Sequence, residues 1–163
     1  MHLIKLLLVT LAFSFGQSAS AQATRFSPVD CEFSIEFPDK YQLHDVHAAG
    51  KNTTLAVSKT YPWGQLSAEC WPGKPPANIS EFAKRIEQTV KEGGFITNSV
   101  TSIQGKFGPV VLLLGTATID GKKFNLTMET HFGRKSRMEA KVIQVEFKGV
   151  EHDERFRKSI LMK

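Results

Sequence analysis

Val110-Val111-Leu112-Leu113-Leu114-Gly115, then Asp120-Gly121, then Lys123-Phe124-Asn125-Leu126-Thr127-Met128-Glu129: this stretch decides the fold. Asp-Gly between two strand-like runs signals a tight hairpin, because both central turn positions favour positive φ. After the turn, Phe124, Leu126, Met128, Thr130 and Phe132 fall on one face, and Lys123, Asn125, Thr127, Glu129 and His131 on the other. Period two means one buried face and one wet or lightly covered face. The 110–114 run does not alternate, which predicts a strand inside a sheet and covered on both sides. Pro109 before it and Gly115 within it argue against a buried helix. The chain turns again near Gly133 and goes out through Met138, Ala140 and Val142. It then restarts in the opposite phase at Ile143, Val145 and Phe147, which predicts a bulge. Residues 107–147 therefore read as a three-strand antiparallel meander.

Upstream, residues 1–23 read as a cleaved secretory signal peptide: Lys5, a ten-residue apolar core over 6–15, and small residues ending Ala19-Ser20-Ala21-Gln22-Ala23. That core is too short for a bilayer, which takes about 20 apolar residues. No cysteine follows it for lipid attachment, and the Ala-Gln-Ala end has a bacterial look. The expected destination is periplasmic or secreted, without a transmembrane segment after cleavage. Removing 1–23 takes away Lys5 and no acid, leaving 20 Lys and Arg against 16 acids, a net charge of +4. Residues 24–163 have the length of one ordinary domain. So modest a positive charge, with no groove-binding motif, excludes nucleic acid as the expected partner.

Cys31, Phe33, Ile35 and Phe37 alternate with Glu32, Ser34 and Glu36, and Pro38-Asp39 ends that strand. Residues 41–46 and 53–59 are weaker strands around a loop at 49–52. Residues 65–71 alternate with Leu66, Ala68 and Cys70 inward. Both cysteines thus fall on inward strand faces, and in an exported chain a Cys31–Cys70 disulfide is the first expectation. Closing about 40 residues is worth roughly 4 kcal/mol in the chain-entropy treatment. Two free thiols or an intermolecular bridge are the alternatives. A proline-rich connection over 72–77 leads to a helix that Asn78 caps, with Glu81 completing a capping box. Ile79, Phe82, Ile86 and Val90 form its apolar stripe, and Gly93-Gly94 stop it. Residues 97–103 read as a strand, and Asp153 as the cap of a short terminal helix carrying Phe156, Ile160 and Leu161. The predicted fold class is α+β: one antiparallel sheet of about six or seven strands, with one main helix and a short C-terminal helix packed on it.

Phe33-Ser34-Ile35-Glu36-Phe37-Pro38-Asp39-Lys40-Tyr41 resembles the opening strand of PsbP-like and DcrB-like domains, which runs into a proline and then an aromatic. The helix after Asn78, the long meander and the closing Phe156-Arg157-Lys158-Ser159-Ile160 follow the same plan. This chain departs by its two cysteines, by Tyr41 where tryptophan is common, and by lacking a lipoprotein cysteine. The resemblance implies a small exported or accessory protein that binds other proteins, and catalysis is not characteristic of such domains.

Candidate chemistry is sparse. His44, Asp45 and His47 lie close in sequence, but in an extended strand the two imidazoles face opposite ways, so no metal site and no cofactor are expected. Paired cysteines leave no thiol nucleophile, no serine occupies a nucleophile elbow, and no glycine-rich phosphate loop is present. His131 reads as a solvated sheet residue, and no catalytic residue is assigned. Tyr61, Trp63 and Trp71 bracket one strand, either packed under neighbouring elements or forming an exposed recognition patch. The Asn52, Asn78 and Asn125 sequons read as turn, cap and strand residues. The hairpin logic puts the turn at Lys122-Lys123 at one end of the meander, and Lys106, Arg134, Lys135 and Arg137 together at the other. They stand there either as solvated loop tips or as an electropositive docking edge for an acidic protein or an anionic envelope surface. The leading functional expectation is an exported, non-enzymatic protein-binding or accessory domain, including an inhibitor-like role. The alternatives are a carrier of a small ligand in a pocket between helix and sheet, and a hydrolase.

Overall fold

The computed structural model describes residues 23–48, 51–145 and 150–163. Residues 1–22 of the expected signal segment, and Phe147, lie outside the described residues. Ten strands follow in order: β1 (Thr24–Phe26), β2 (Phe33–Phe37), β3 (Tyr41–Ala48), β4 (Lys51–Ser58), β5 (Gly64–Pro72), β6 (Ile96–Gln104), β7 (Pro109–Ile119), β8 (Lys122–Phe132), β9 (Ser136–Val145) and β10 (Leu161–Met162). Helix α1 (Ile79–Glu92) separates β5 from β6, and α2 (Val150–Lys158) separates β9 from β10.

The α+β expectation is corrected by this architecture. Strands hold 56% of the described residues and helices 17%, so the protein is mostly β. It has two antiparallel sheets, one of seven strands in the order β3-β4-β5-β9-β8-β7-β6 and one of three in the order β1-β2-β10. The strand count of the large sheet fits the sequence reading; a main helix as the principal cover does not. The cause lies in β2. Its apolar residues Phe33, Ile35 and Phe37 lie across the large sheet, packed on Ala56, Leu66, Ala68, Met138, Ala140 and Val142. The cover of the first core is thus a second sheet, closed by Phe156 of α2. Helix α1 covers only the opposite face at the other end, where Phe82, Ala83 and Ile86 meet Val111, Leu113, Leu126, Met128 and Phe132.

The meander forms as read. Val110 to Ile119 pair in register with His131 to Lys122. Asp120 and Gly121 both take positive φ, 50° and 74°, which is what a two-residue hairpin turn asks of them. The bulge expected in the third strand is absent: β9 keeps a regular register with both β8 and β5 through Gln144. Its apolar residues change phase because the two faces of β9 carry different cores. Met138, Ala140 and Val142 face the small sheet, and Ile143 packs with the α1 core. The irregularity sits in β6 instead, between Thr97 and Ser99. Strand β7 lies inside the sheet but is fully covered on the α1 side only, since Leu114 on its other face is 38% exposed.

Cys31 and Cys70 are joined, with Cα atoms 6.1 Å apart, which ties the segment before β2 to β5 and so one sheet to the other. A second tie runs through Glu32. Its carboxylate accepts from the backbone N–H of Lys135 at 2.6 Å and of Ser136 at 3.0 Å, while its own N–H donates to the Ser136 hydroxyl at 2.8 Å. At the same end Gly108 (φ 144°) faces the Phe132 carbonyl so closely that a Cβ would collide with it, which locks the β6–β7 turn against the end of β8. The terminal helix differs from the reading in two respects. Ile160 and Leu161 lie beyond its end, and Leu161 is in β10 and exposed, not on an inner helix side. Asp153 is not its cap but lies inside α2, buried and bonded to Arg157 Nε at 2.5 Å.

Candidate functional site

Because the small sheet covers one end of one face and α1 the other end of the other face, the large sheet keeps open ground beside α1. A cleft of about 760 Å³ lies there, lined by α1, the 72–78 connection and strands β5, β9 and β8. This is within the range of small-molecule sites, about 300–1,000 Å³. The local sequence explains its shape. Asn78 accepts from the Glu81 N–H at 3.1 Å and starts α1, while Gly94 (φ 87°) ends it. The floor is apolar: Phe82, Ile86 and Val90 on one side, and Leu126, Met128 and Ile143 on the other.

Charged residues line the cleft as well: Lys74, Arg85, Arg137 and Lys141, with two acids, Glu69 and Glu139, that are buried in its wall. Arg137 places its guanidinium 4.7 Å from the Trp71 ring centre and 5.3 Å from that of Phe82, and its Nε bonds Glu139 at 3.0 Å. Lys141 Nζ is 3.6 Å from the same carboxylate. Glu69 stands opposite Glu139 in the β5–β9 ladder and accepts from the Thr53 hydroxyl at 2.6 Å. Lys74 and Arg85 are exposed and enter no ion pair among the described residues. The Trp71 indole N–H is out of reach of solvent and has no hydrogen-bond partner among the described residues. The cleft therefore offers an apolar floor, a flat cation–π wall and two uncommitted cations.

A second constellation lies across the sheet. Glu129 bonds His131 Nε2 at 3.1 Å and pairs with Arg157, which also pairs with Asp153. Burial pushes the Glu129 carboxyl upward, but the His131 bond and the Arg157 charge outweigh it and hold the group below the ordinary carboxylate value. Burial likewise opposes the Arg157 charge, and its bonds to Asp153 and Glu129 more than compensate. The adjoining hollow is lined by Lys106, Phe107, Glu154, Lys158 and Ile160 in addition to Glu129, His131 and Arg157, a set with no hydroxyl or thiol to act as nucleophile. The network fastens α2 to β8. His131 is thus a largely covered residue hydrogen-bonded to Glu129, with 16% of its side chain exposed, where the sequence pattern suggested a solvated one.

The remaining sequence candidates divide. The two turns carrying the basic residues do meet at one end of the meander, but the four cations spread over it. Lys106 lies over Phe107 on the α2 side, Arg134 and Lys135 are exposed at the tip, and Arg137 turns to the α1 side. Glu32 enters the same end, an acid from the other sheet that turn composition does not reveal. Tyr61 and Trp63 stack at 4.7 Å, and His152 of α2 stacks on Trp63 at 5.0 Å. Trp71, at the far end of β5, belongs to the cleft. His44 pairs with Leu55 and His47 with Asn52 in the β3–β4 ladder. Among the described residues no group of three His, Cys, Asp or Glu could hold a metal ion. Sequence reasoning missed Lys74, Arg85 and Lys141. The signal available was a proline-rich connection beside an amphipathic helix, which leaves a groove next to the sheet.

No protein-family model matches the chain, and no curated protein matches it. Solved structures match in shape. A Bacteroides thetaiotaomicron protein superposes with a TM-score of 0.50 at 13% identity, over 87% of this chain and 49% of its own, so the chain spans about half that protein's length. A protein of unknown function from Pseudomonas aeruginosa gives 0.50 at 13% identity, over 85% and 93%. LpqN, involved in cell envelope biogenesis of Mycobacterium tuberculosis, gives 0.42 at 12% identity, over 90% and 87%. At these identities the likeness is one of fold alone. None of them supports the PsbP-like resemblance. Among the described residues no helix is long and apolar enough to cross a membrane.

Proposed function

We propose that the protein is an exported, periplasmic or secreted binding domain that holds a small amphipathic anion in the cleft between α1 and the large sheet. The observation that carries this reading is an apolar floor in a cleft that two cations without an ion pair among the described residues, Lys74 and Arg85, also line. An alkyl or aryl body lies against Leu126, Met128, Ile143 and Ile86, and its carboxylate or phosphate reaches the two side chains at the mouth. Burial of the apolar body drives binding, at about 25 cal/mol per Å² removed from water, and the cations select the head group. The disulfide supports the oxidising compartment. The cleft is concave and small, which favours a small ligand over a protein surface.

The test is a comparison of three probes that share one chain: dodecanoate, dodecanol and dodecyltrimethylammonium, each below its micellar concentration and measured by isothermal titration calorimetry. Dodecanoate should bind tightest, dodecanol about tenfold or more weaker, and the cation weakest. The Lys74→Glu, Arg85→Glu double variant should lose that order. Equal binding of all three would contradict head-group selection, and binding of none would overturn the ligand-holding function itself.

A further inference from the structure

We infer that β6 is a self-association edge, and that a second copy of this chain pairs with it antiparallel about a two-fold axis, doubling the large sheet. Among the described residues, strand β6 ends that sheet and is bonded on one side only, to β7. Its sequence, ITNSVTSIQ, contains no charged residue and no proline. Soluble proteins ordinarily guard such an edge with charge, proline or brevity. The other edges among the described strands are guarded: β3 carries Asp45, and β1 and β10 are three and two residues long. The bulge between Thr97 and Ser99 twists only the first part of β6, leaving 99–104 as a regular, unprotected ladder.

The edge also carries apolar surface. Ile96 is 71% and Ile103 55% exposed, and the β6–β7 register sets them on the same face as the partly exposed Leu114. That is the face α1 does not cover, since Leu114 stands opposite Thr127 on the α2 side of β8. Centred on Thr101, a two-fold pairing sets Ser99 opposite Ile103 and Val100 opposite Ser102. Each Ile103 then sits across Ser99 of the other copy from Leu114, which gathers the exposed apolar residues of both copies on one face of the doubled sheet. Charge favours a second copy over a foreign strand. No register of this neutral strand against itself sets like charges opposite each other, and its hydroxyl side chains are suited to cross-strand pairs with their own kind. Nothing on the edge would steer or specify a charged partner.

Sedimentation velocity on the processed chain tests this. The wild type should show a monomer–dimer equilibrium that shifts with concentration. Thr101→Lys and Thr101→Glu should each weaken dimerisation at least about tenfold, because each sets two like charges together at the axis. An equimolar mixture of the two variants should restore the dimer, a rescue that requires both to be folded and opposed. A wild type that stays monomeric at millimolar concentration overturns the inference. So does a dimer that neither variant weakens, or a mixture that remains monomeric.

Discussion

The Arg137 guanidinium is held between the Trp71 ring, 4.7 Å from it, and the Glu139 carboxylate, 3.0 Å from its Nε. Glu139 is only 6% exposed, and its cationic neighbours are Arg137 and Lys141. Removing one partner of a covered ion pair leaves an uncompensated charge. Arg137→Ala should therefore cost about 2–5 kcal/mol in chemical denaturation. Arg137→Lys should recover only part of it, since an ammonium lacks the flat face that stacks on indole.

The disulfide joins the two sheets across a sequence separation of 39. Changing both cysteines to alanine should lower stability by about 2–5 kcal/mol. Non-reducing peptide mapping of protein made under oxidising conditions should find Cys31 and Cys70 linked, and two free thiols would contradict the structure.

Glu32 serves backbone donors at the β8–β9 turn, one of them on Ser136, which is 1% exposed. Glu32→Ala should leave that donor unpaired and cost about 1–3 kcal/mol. Hydrogen exchange should show faster loss of protection at Ser136 than at the Asp120-Gly121 turn.

Acid should unfold the protein partly through Glu129. Its folded carboxyl titrates below the unfolded value of 4.5. The ionised network thus contributes its full stability above that value and loses it as pH falls further, because the unfolded chain takes up the proton first. Glu129→Gln should lower stability at pH 7 and flatten the decline of stability below pH 4.5, followed by denaturant midpoints across the acid range.

The sequence was most legible where pairing is local. Asp120-Gly121 fixed one hairpin, Asn78 and Gly94 bounded α1, and the inward positions of Cys31 and Cys70 foretold their bridge. It was least legible where pairing is distant. Leu161 and Met162 pair with Ser34 and Phe33, and no local pattern announces a ladder between chain ends. Hence β2 read as one more strand of a single sheet, when it is the centre of a second. The phase change at Ile143 read as a bulge because alternation cannot distinguish an inserted residue from a strand with a different core on each face. Arg137 and Trp71 were both singled out, but for separate surfaces. Their meeting depends on the β5–β9 register, which sets Trp71 opposite Arg137.

The most direct measurement of the central claim uses the two tryptophans as reporters, one in the cleft and one outside it. Trp71 lines the cleft, while Trp63 stacks between Tyr61 and His152 on the other core. A dodecanoate carrying bromine on its chain quenches indole fluorescence at contact. In Trp63→Phe protein, the remaining Trp71 emission should fall saturably as this probe is added. In Trp71→Phe protein, the Trp63 emission should stay constant. Quenching of Trp63 alone, or of both equally, would place the ligand elsewhere and contradict the account.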